Sequence, residues 1–198
     1  MNRIGWAFLG LFALGGLFVA FFVDFGGRPA APQPAAALPT AAAGAVGAAP
    51  GQLLVPVRGV DPAALRGSWG EVRGDGTRGH TGTDIMAPLG TPVVAAADGV
   101  VEKRFFSPGG GGITLYVRAP DRRLSYYYAH LAGYAAGSEE GRGVRAGQVI
   151  GYVGDSGNAG RGNTHLHFGI ERTDPAAPWY RGQAIDPYPL LARGARAE

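Results

Sequence analysis

All four histidines of this 198-residue chain fall in short segments whose residue types could do chemistry. His80-Thr81-Gly82-Thr83-Asp84 sets an imidazole and a carboxylate four apart. His165-Leu166-His167-Phe168 sets two imidazoles two apart, and His130 lies in Tyr128-Ala129-His130-Leu131. No histidine is left for ordinary core or surface duty. A hydrolytic zinc ion takes three protein ligands from imidazole or carboxylate and keeps a fourth position for water, whose pKa then falls to about 7. Two histidines and one aspartate meet that demand. There is no cysteine, which excludes disulfides and a thiol nucleophile and leaves the redox state of the compartment unmarked.

The elements that position these side chains follow from periodicity. On a β-strand residues i and i+2 share a face, so a strand over 164–171 projects His165 and His167 together while Leu166, Phe168 and Ile170 take the other face. His80 and Asp84 have a helical spacing, but Gly74, Gly76, Gly79 and Gly82 oppose a helix there. The segment reads as a loop entering a short strand at Asp84-Ile85-Met86, with Gly82 letting the backbone fold closely between two ligands.

The runs 92–96, 99–106, 113–118, 124–130, 149–153 and 165–171 are strand-like and are separated by glycine-rich turns. Asp98-Gly99 is a hairpin signal. Helical periodicity is confined to a turn at 62–65, so the expected class is all-β, in one domain with one core. Tyr126, Tyr127 and Tyr128 read as core or cross-strand packing residues; Tyr128 shares parity with His130 and could line the site, though it ranks below the histidines and Asp84. The four glycines at 109–112 are followed by no Gly-Lys-Ser/Thr and no helix, so they read as a flexible hairpin loop rimming a groove and not as a phosphate cradle. The stretches 107–112 and 132–142 are where loop shape is expected to set substrate choice. Gly154-Asp155-Ser156-Gly157 echoes the nucleophile segment of trypsin-like serine proteases, but it follows a strand and reads as a turn.

Residues 4–23 are an unbroken apolar run after Met1, Asn2 and Arg3. At about 1.5 Å per residue the run matches the roughly 30 Å hydrocarbon core of a bilayer. A cleaved signal has an apolar region of about 7–15 residues and a small-x-small site just beyond, and Val23-Asp24-Phe25-Gly26-Gly27-Arg28 offers none. The expected organisation is a signal anchor and transmembrane helix over 1–25, an Ala/Pro-rich linker over 26–51, a catalytic domain over 52–191 and a tail over 192–198. The body then lies outside the cytoplasm, in the periplasm or beyond, single-pass at the membrane, or secreted if the segment is cleaved. The net charge of +3 is spread out, with no basic helix or aromatic nucleic-acid motif, so nucleic acid is not an expected partner.

Ser68-Trp69-Gly70, Arg78-Gly79-His80-Thr81-Gly82-Thr83-Asp84-Ile85, Ala87-Pro88-Leu89-Gly90-Thr91-Pro92-Val93, Tyr128-Ala129-His130-Leu131, Gly147-Gln148-Val149-Ile150-Gly151-Tyr152-Val153-Gly154 and His165-Leu166-His167-Phe168 occur in this order. Together they resemble the lysostaphin-type, or LytM-like, zinc metallopeptidases that cut peptidoglycan, over residues 55–191. The resemblance implies a mainly antiparallel sheet with a groove. It also implies one Zn²⁺ held by His80, Asp84 and His167, with His130 and His165 as catalytic groups around it.

No His-Glu-x-x-His is present, so the resemblance points to a histidine as base, either His130 or His165. It further implies a membrane-tethered zinc endopeptidase acting on peptidoglycan stems or cross-links. Some relatives that have lost ligands activate cell-wall amidases instead, whereas all five positions are intact here. The alternatives are such a wall-binding or amidase-activating scaffold, and a zinc peptidase acting on exported proteins.

Overall fold

The computed structural model describes residues 52–73, 76–194 and 196–197. In chain order its strands are β1 (Val72–Arg73), β2 (Arg78–Gly79), β3 (Thr83–Met86), β4 (Pro92–Val94), β5 (Gly99–Ser107) and β6 (Gly112–Arg118). They continue as β7 (Leu124–Tyr134), β8 (Gly143–Val144), β9 (Val149–Val153), β10 (His165–Arg172) and β11 (Gln183–Ile185). The pairings among them are antiparallel. Helix among the described residues is limited to single turns at Pro62–Ala64, Gly157–Ala159 and Tyr188–Leu191. The expected apolar span at 4–23 and the Ala/Pro-rich linker lie outside the described residues. Within them, no helix is long and apolar enough to cross a membrane.

β1 and β2 form a small ribbon of their own; the other strands make one sheet whose main path runs β11-β10-β7-β6-β5-β8. Alternation along the central strands sorts their side chains. Leu166, Phe168 and Ile170 of β10, Tyr126 and Tyr128 of β7, Leu115 and Val117 of β6 and Val101 of β5 are buried in one core, joined by Val93, Ile150 and Val153. Full burial of each large apolar side chain stabilises the domain by about 1.5–3 kcal/mol before chain entropy is counted. The opposite parity, His165 and His167 on β10 and Tyr127 on β7, is left for the groove. Arg193 and Ala197 are tied to the body, as the Arg193 carbonyl accepts from Gln52 Nε2 at 2.7 Å and the Ala197 carbonyl from the Gly59 N–H at 2.9 Å.

β7 changes partner midway. Residues 124–129 pair with β10, whereas Leu131, Gly133 and Tyr134 pair with β9. Against β6, Tyr128 is opposite Leu115 but Leu131 is opposite Ile113, so β7 carries one extra residue, a bulge. His130 sits in that bulge with φ 62°, a left-handed conformation that costs a non-glycine residue about 1 kcal/mol or more.

Two expectations are corrected by these pairings. Asp98-Gly99 makes no hairpin, because β4 pairs with β9 and not with β5; Asp98 Oδ1 instead accepts from the Ala146 N–H at 2.8 Å and turns the chain from one strand to the next. Tyr128 does not share the site with His130, because the bulge resets parity between them. Its ring is fully buried in the core and its hydroxyl oxygen accepts from the Ala96 N–H at 3.0 Å.

Candidate metal and catalytic site

β3 and β10 pair with His167 directly opposite Asp84 and Phe168 opposite Thr83. That register sets the imidazole and the carboxylate side by side. His80 arrives from the loop just before β3, its backbone fixed because its N–H donates to the Glu71 carbonyl and its carbonyl accepts from the Gly70 N–H. Gly82 lies between His80 and Asp84, the two candidate ligands, as expected. A Cβ there would stand 2.6 Å from His167 Nε2 and 2.7 Å from the Phe168 carbonyl oxygen, closer than real side chains approach, so only glycine lets loop and strand meet.

His80 Nε2, Asp84 Oδ1 and His167 Nδ1 form a near-equilateral triangle with sides of 3.0, 2.9 and 3.0 Å. His80 Nδ1 lies 2.9 Å from the Ser68 carbonyl oxygen. A carbonyl only accepts, so Nδ1 carries the proton and Nε2 turns a lone pair toward the triangle. The carboxylate also offers only lone pairs, which leaves at most one proton, on His167, to serve three contacts. Such a donor set fits a cation. Ligands about 2.0–2.1 Å from a tetrahedral ion are about 3.3 Å apart, close to the spacing found. These three side chains are the group able to hold a metal ion among the described residues.

Burial opposes ionisation of Asp84, but the hydrogen bonds and charges of His167 and His80 outweigh it and hold the carboxyl below the usual carboxylate range. Its second oxygen, Oδ2, accepts from Arg73 Nη2 at 2.9 Å. Arg73 comes from β1 and no sequence pattern marked it.

His130 and His165 face each other next to the triangle, with ring centroids 4.8 Å apart. His165 Nδ1 lies 2.8 Å from the Asn163 carbonyl oxygen and His130 Nδ1 2.8 Å from that of Ser156. Both Nδ1 atoms therefore donate and both Nε2 atoms carry lone pairs. His165 Nε2 points inward, 3.9 Å from Asp84 Oδ1. Burial, only partly offset by the Ser156 carbonyl, pushes the His130 pKa down to about 4, so this imidazole is neutral at working pH.

The bulge that holds His130 is clamped on both sides. Its N–H donates to the Gly111 carbonyl at 2.8 Å, and a side chain on Gly111 would overlap the Tyr127 hydroxyl. Ser156 Oγ donates to the Leu131 carbonyl at 2.7 Å and accepts from the Ile113 N–H at 2.9 Å. Ser156 is thus a brace and not a nucleophile, as its place in a turn after β9 suggested.

All five predicted site residues line one groove of about 530 Å³. Arg73, Arg78 and Gly79 form part of one wall, with Asn158 and Asn163 among the other lining residues. Gly110 and Gly111 bring the glycine-rich loop to the rim as expected, whereas no residue of 132–142 lines the groove. That stretch is used at β5, where Glu140 pairs with Lys103 at 2.9 Å and accepts from the Arg104 N–H. Tyr127 lines the site in place of Tyr128, its ring edge-on to His167 at 5.9 Å; burial raises its pKa to about 12, keeping the hydroxyl protonated.

Comparison with known proteins gives a family and a fold. Residues 78–187 match the model of peptidase family M23. An L-Ala–D-Glu endopeptidase of Bacillus subtilis is 40% identical over 142 residues, which cover 68% of this chain and 41% of that protein. The murein hydrolase activator EnvC of Escherichia coli is 37% identical over 150 residues, 76% of this chain and 31% of that one. This chain therefore spans less than half the length of either relative. The catalytic domain of the antimicrobial peptidase lysostaphin from Staphylococcus simulans superposes with a TM-score of 0.53 at 29% identity, over 64% of this chain and 90% of that domain.

Proposed function

The chain belongs to peptidase family M23, and from that premise we propose that it is a zinc endopeptidase hydrolysing peptide bonds of peptidoglycan while tethered to the membrane by residues 4–23. The observation that carries the reading is the triangle of lone-pair atoms on His80, Asp84 and His167, beside two imidazoles that both present Nε2. Three ligands leave a position open, as catalytic zinc sites do, whereas structural sites fill all four.

Zinc bound by His80, Asp84 and His167 supplies a Lewis acid and a water acidified to near neutrality. The chain's own groups do the rest. Ser68 fixes the His80 tautomer, and Arg73 holds the carboxylate so that Oδ1 alone turns inward. One of His130 and His165 takes a proton at Nε2 from the attacking water and returns it to the leaving amine; the other, whose Nδ1–H is held by a backbone carbonyl, donates to the oxygen on which negative charge develops only once its Nε2 is also protonated. Their Nδ1–H bonds to the Ser156 and Asn163 carbonyls keep both rings in the required orientation. Asn158 and Asn163 on the groove wall can hydrogen-bond the amides of an extended peptide.

Digestion of purified cell wall by the zinc-loaded chain tests this. Release of fragments whose masses correspond to cut peptide bonds is expected, and chelation should stop it. Intact wall after treatment with the zinc-bound protein contradicts the reading.

The likeness to EnvC favours one other reading, a module that activates wall amidases. It predicts that the chain alone cuts nothing and that an added amidase works faster in its presence. The undiminished ligand set favours the enzyme.

A further inference from the structure

β1 and β2 set Arg73 directly opposite Arg78, and both residues line the groove beside Asp84. Like charges at opposed cross-strand positions destabilise a ribbon, so the arrangement calls for anions. Arg73 has its own, Asp84 Oδ2 at 2.9 Å and Glu71 Oε2 at 3.2 Å. Arg78 is exposed on the groove wall, and among the described residues no carboxylate pairs with it. Asp84 is the carboxylate among the described groove-lining residues, and both of its oxygens are already engaged. A solvated surface arginine needs no place opposite a second arginine; a guanidinium that receives an anion from the groove explains the placement.

Resting on the hydrolase reading, we propose that Arg78 binds a carboxylate of the substrate, so that this groove takes acidic stem peptides in preference to uncharged glycine bridges. A guanidinium fork matches a carboxylate with two parallel hydrogen bonds, which an isosteric carboxamide cannot reproduce and lysine meets only as a point charge. Arg78 then sets specificity, while the five groups already described carry out the reaction.

The test uses the full-length zinc-loaded chain and cross-linked stem peptides purified from wall. The peptides are taken as free acids and after carbodiimide amidation, which turns each carboxylate into a carboxamide. Hydrolysis is followed by mass spectrometry, and binding of fluorescein-labelled forms by anisotropy. Amidation should raise KM and weaken binding about tenfold, with a smaller effect on kcat. Arg78→Ala should bring the two forms to within about twofold, Arg78→Lys should restore part of the difference, and Arg78→Glu should reverse it, all with wild-type zinc content. Equal binding of the two forms by the wild type, or an undiminished preference in Arg78→Ala, overturns the proposal. If neither form is cut while the acid form still binds better through Arg78, the proposal stands and the hydrolase reading falls.

Discussion

His167 Nδ1 and Asp84 Oδ1 lie 3.0 Å apart although 83 residues separate them, because the two residues are direct partners in the pairing of β10 with β3. The site is therefore a product of sheet register. A slip of one residue would turn His165 and His167 into the core and Leu166 and Phe168 into the groove. Burying two imidazoles and exposing two large apolar side chains is costly, so the forces that build the core also keep the ligand set aligned.

Gly82→Ala is expected to break that alignment without replacing His80, Asp84 or His167. The new Cβ would meet His167 Nε2 at 2.6 Å and the Phe168 carbonyl oxygen at 2.7 Å, and the second obstacle is backbone. A loss of about 1–3 kcal/mol in stability should accompany a fall of about tenfold or more in zinc affinity. Denaturant melts and competition with a chromophoric chelator measure the two; wild-type values in both would show that the close approach is not needed.

His130→Ala and His165→Ala should each leave zinc bound and lower kcat by about 10²–10⁴-fold, the usual range for a positioned acid or base. Metal analysis beside steady-state kinetics checks this. Loss of zinc from either variant would mean that the roles of the histidines are misassigned.

Ser156→Ala removes one donor and one acceptor from the brace behind His130 and leaves the Ile113 N–H without its partner. A destabilisation of about 1 kcal/mol follows from leaving this partly buried N–H without its partner. Because the His130 ring is aimed through the Ser156 carbonyl, kcat should fall while zinc content does not change. A variant with normal kcat would separate the turn from the chemistry.

Acid should destabilise the metal-free chain. The folded pKa of His130, about 4, lies below the ordinary imidazole value of 6.5, so as pH falls the unfolded chain takes up the proton first. The stability it contributes is complete above about pH 6.5 and is lost as pH falls toward about 4. His167 shifts the same way through burial, and Asp84, held below its usual range, adds a further loss below about pH 4. From His130 alone, lowering the pH from 7 to 5 should remove on the order of 2 kcal/mol. Denaturant midpoints at the two pH values read it directly, and His130→Gln should flatten the difference.

Much of this site was legible because its signals are local. The two-residue spacing in β10, the apolar parity behind it and the glycines around His80 each depend on the next few residues only. What was not legible depends on distant partners. Tyr128 shares parity with His130 in sequence, and nothing nearby announces the bulge; it arises because β7 leaves β10 for β9. Asp98-Gly99 has the composition of a hairpin, but the partner of β4 comes from 55 to 60 positions further on, and the turn yields to it. Arg73 belongs to a two-residue strand too short to show a period, and it reaches the site through the carboxylate it holds.

Zinc-edge anomalous diffraction from crystals of the zinc-loaded protein tests the central claim most directly. The account predicts a single strong peak about 2.0–2.2 Å from His80 Nε2, Asp84 Oδ1 and His167 Nδ1, with a solvent oxygen completing a tetrahedron. A peak elsewhere, a fourth protein ligand closing the ion off, or no peak at full zinc loading would contradict it.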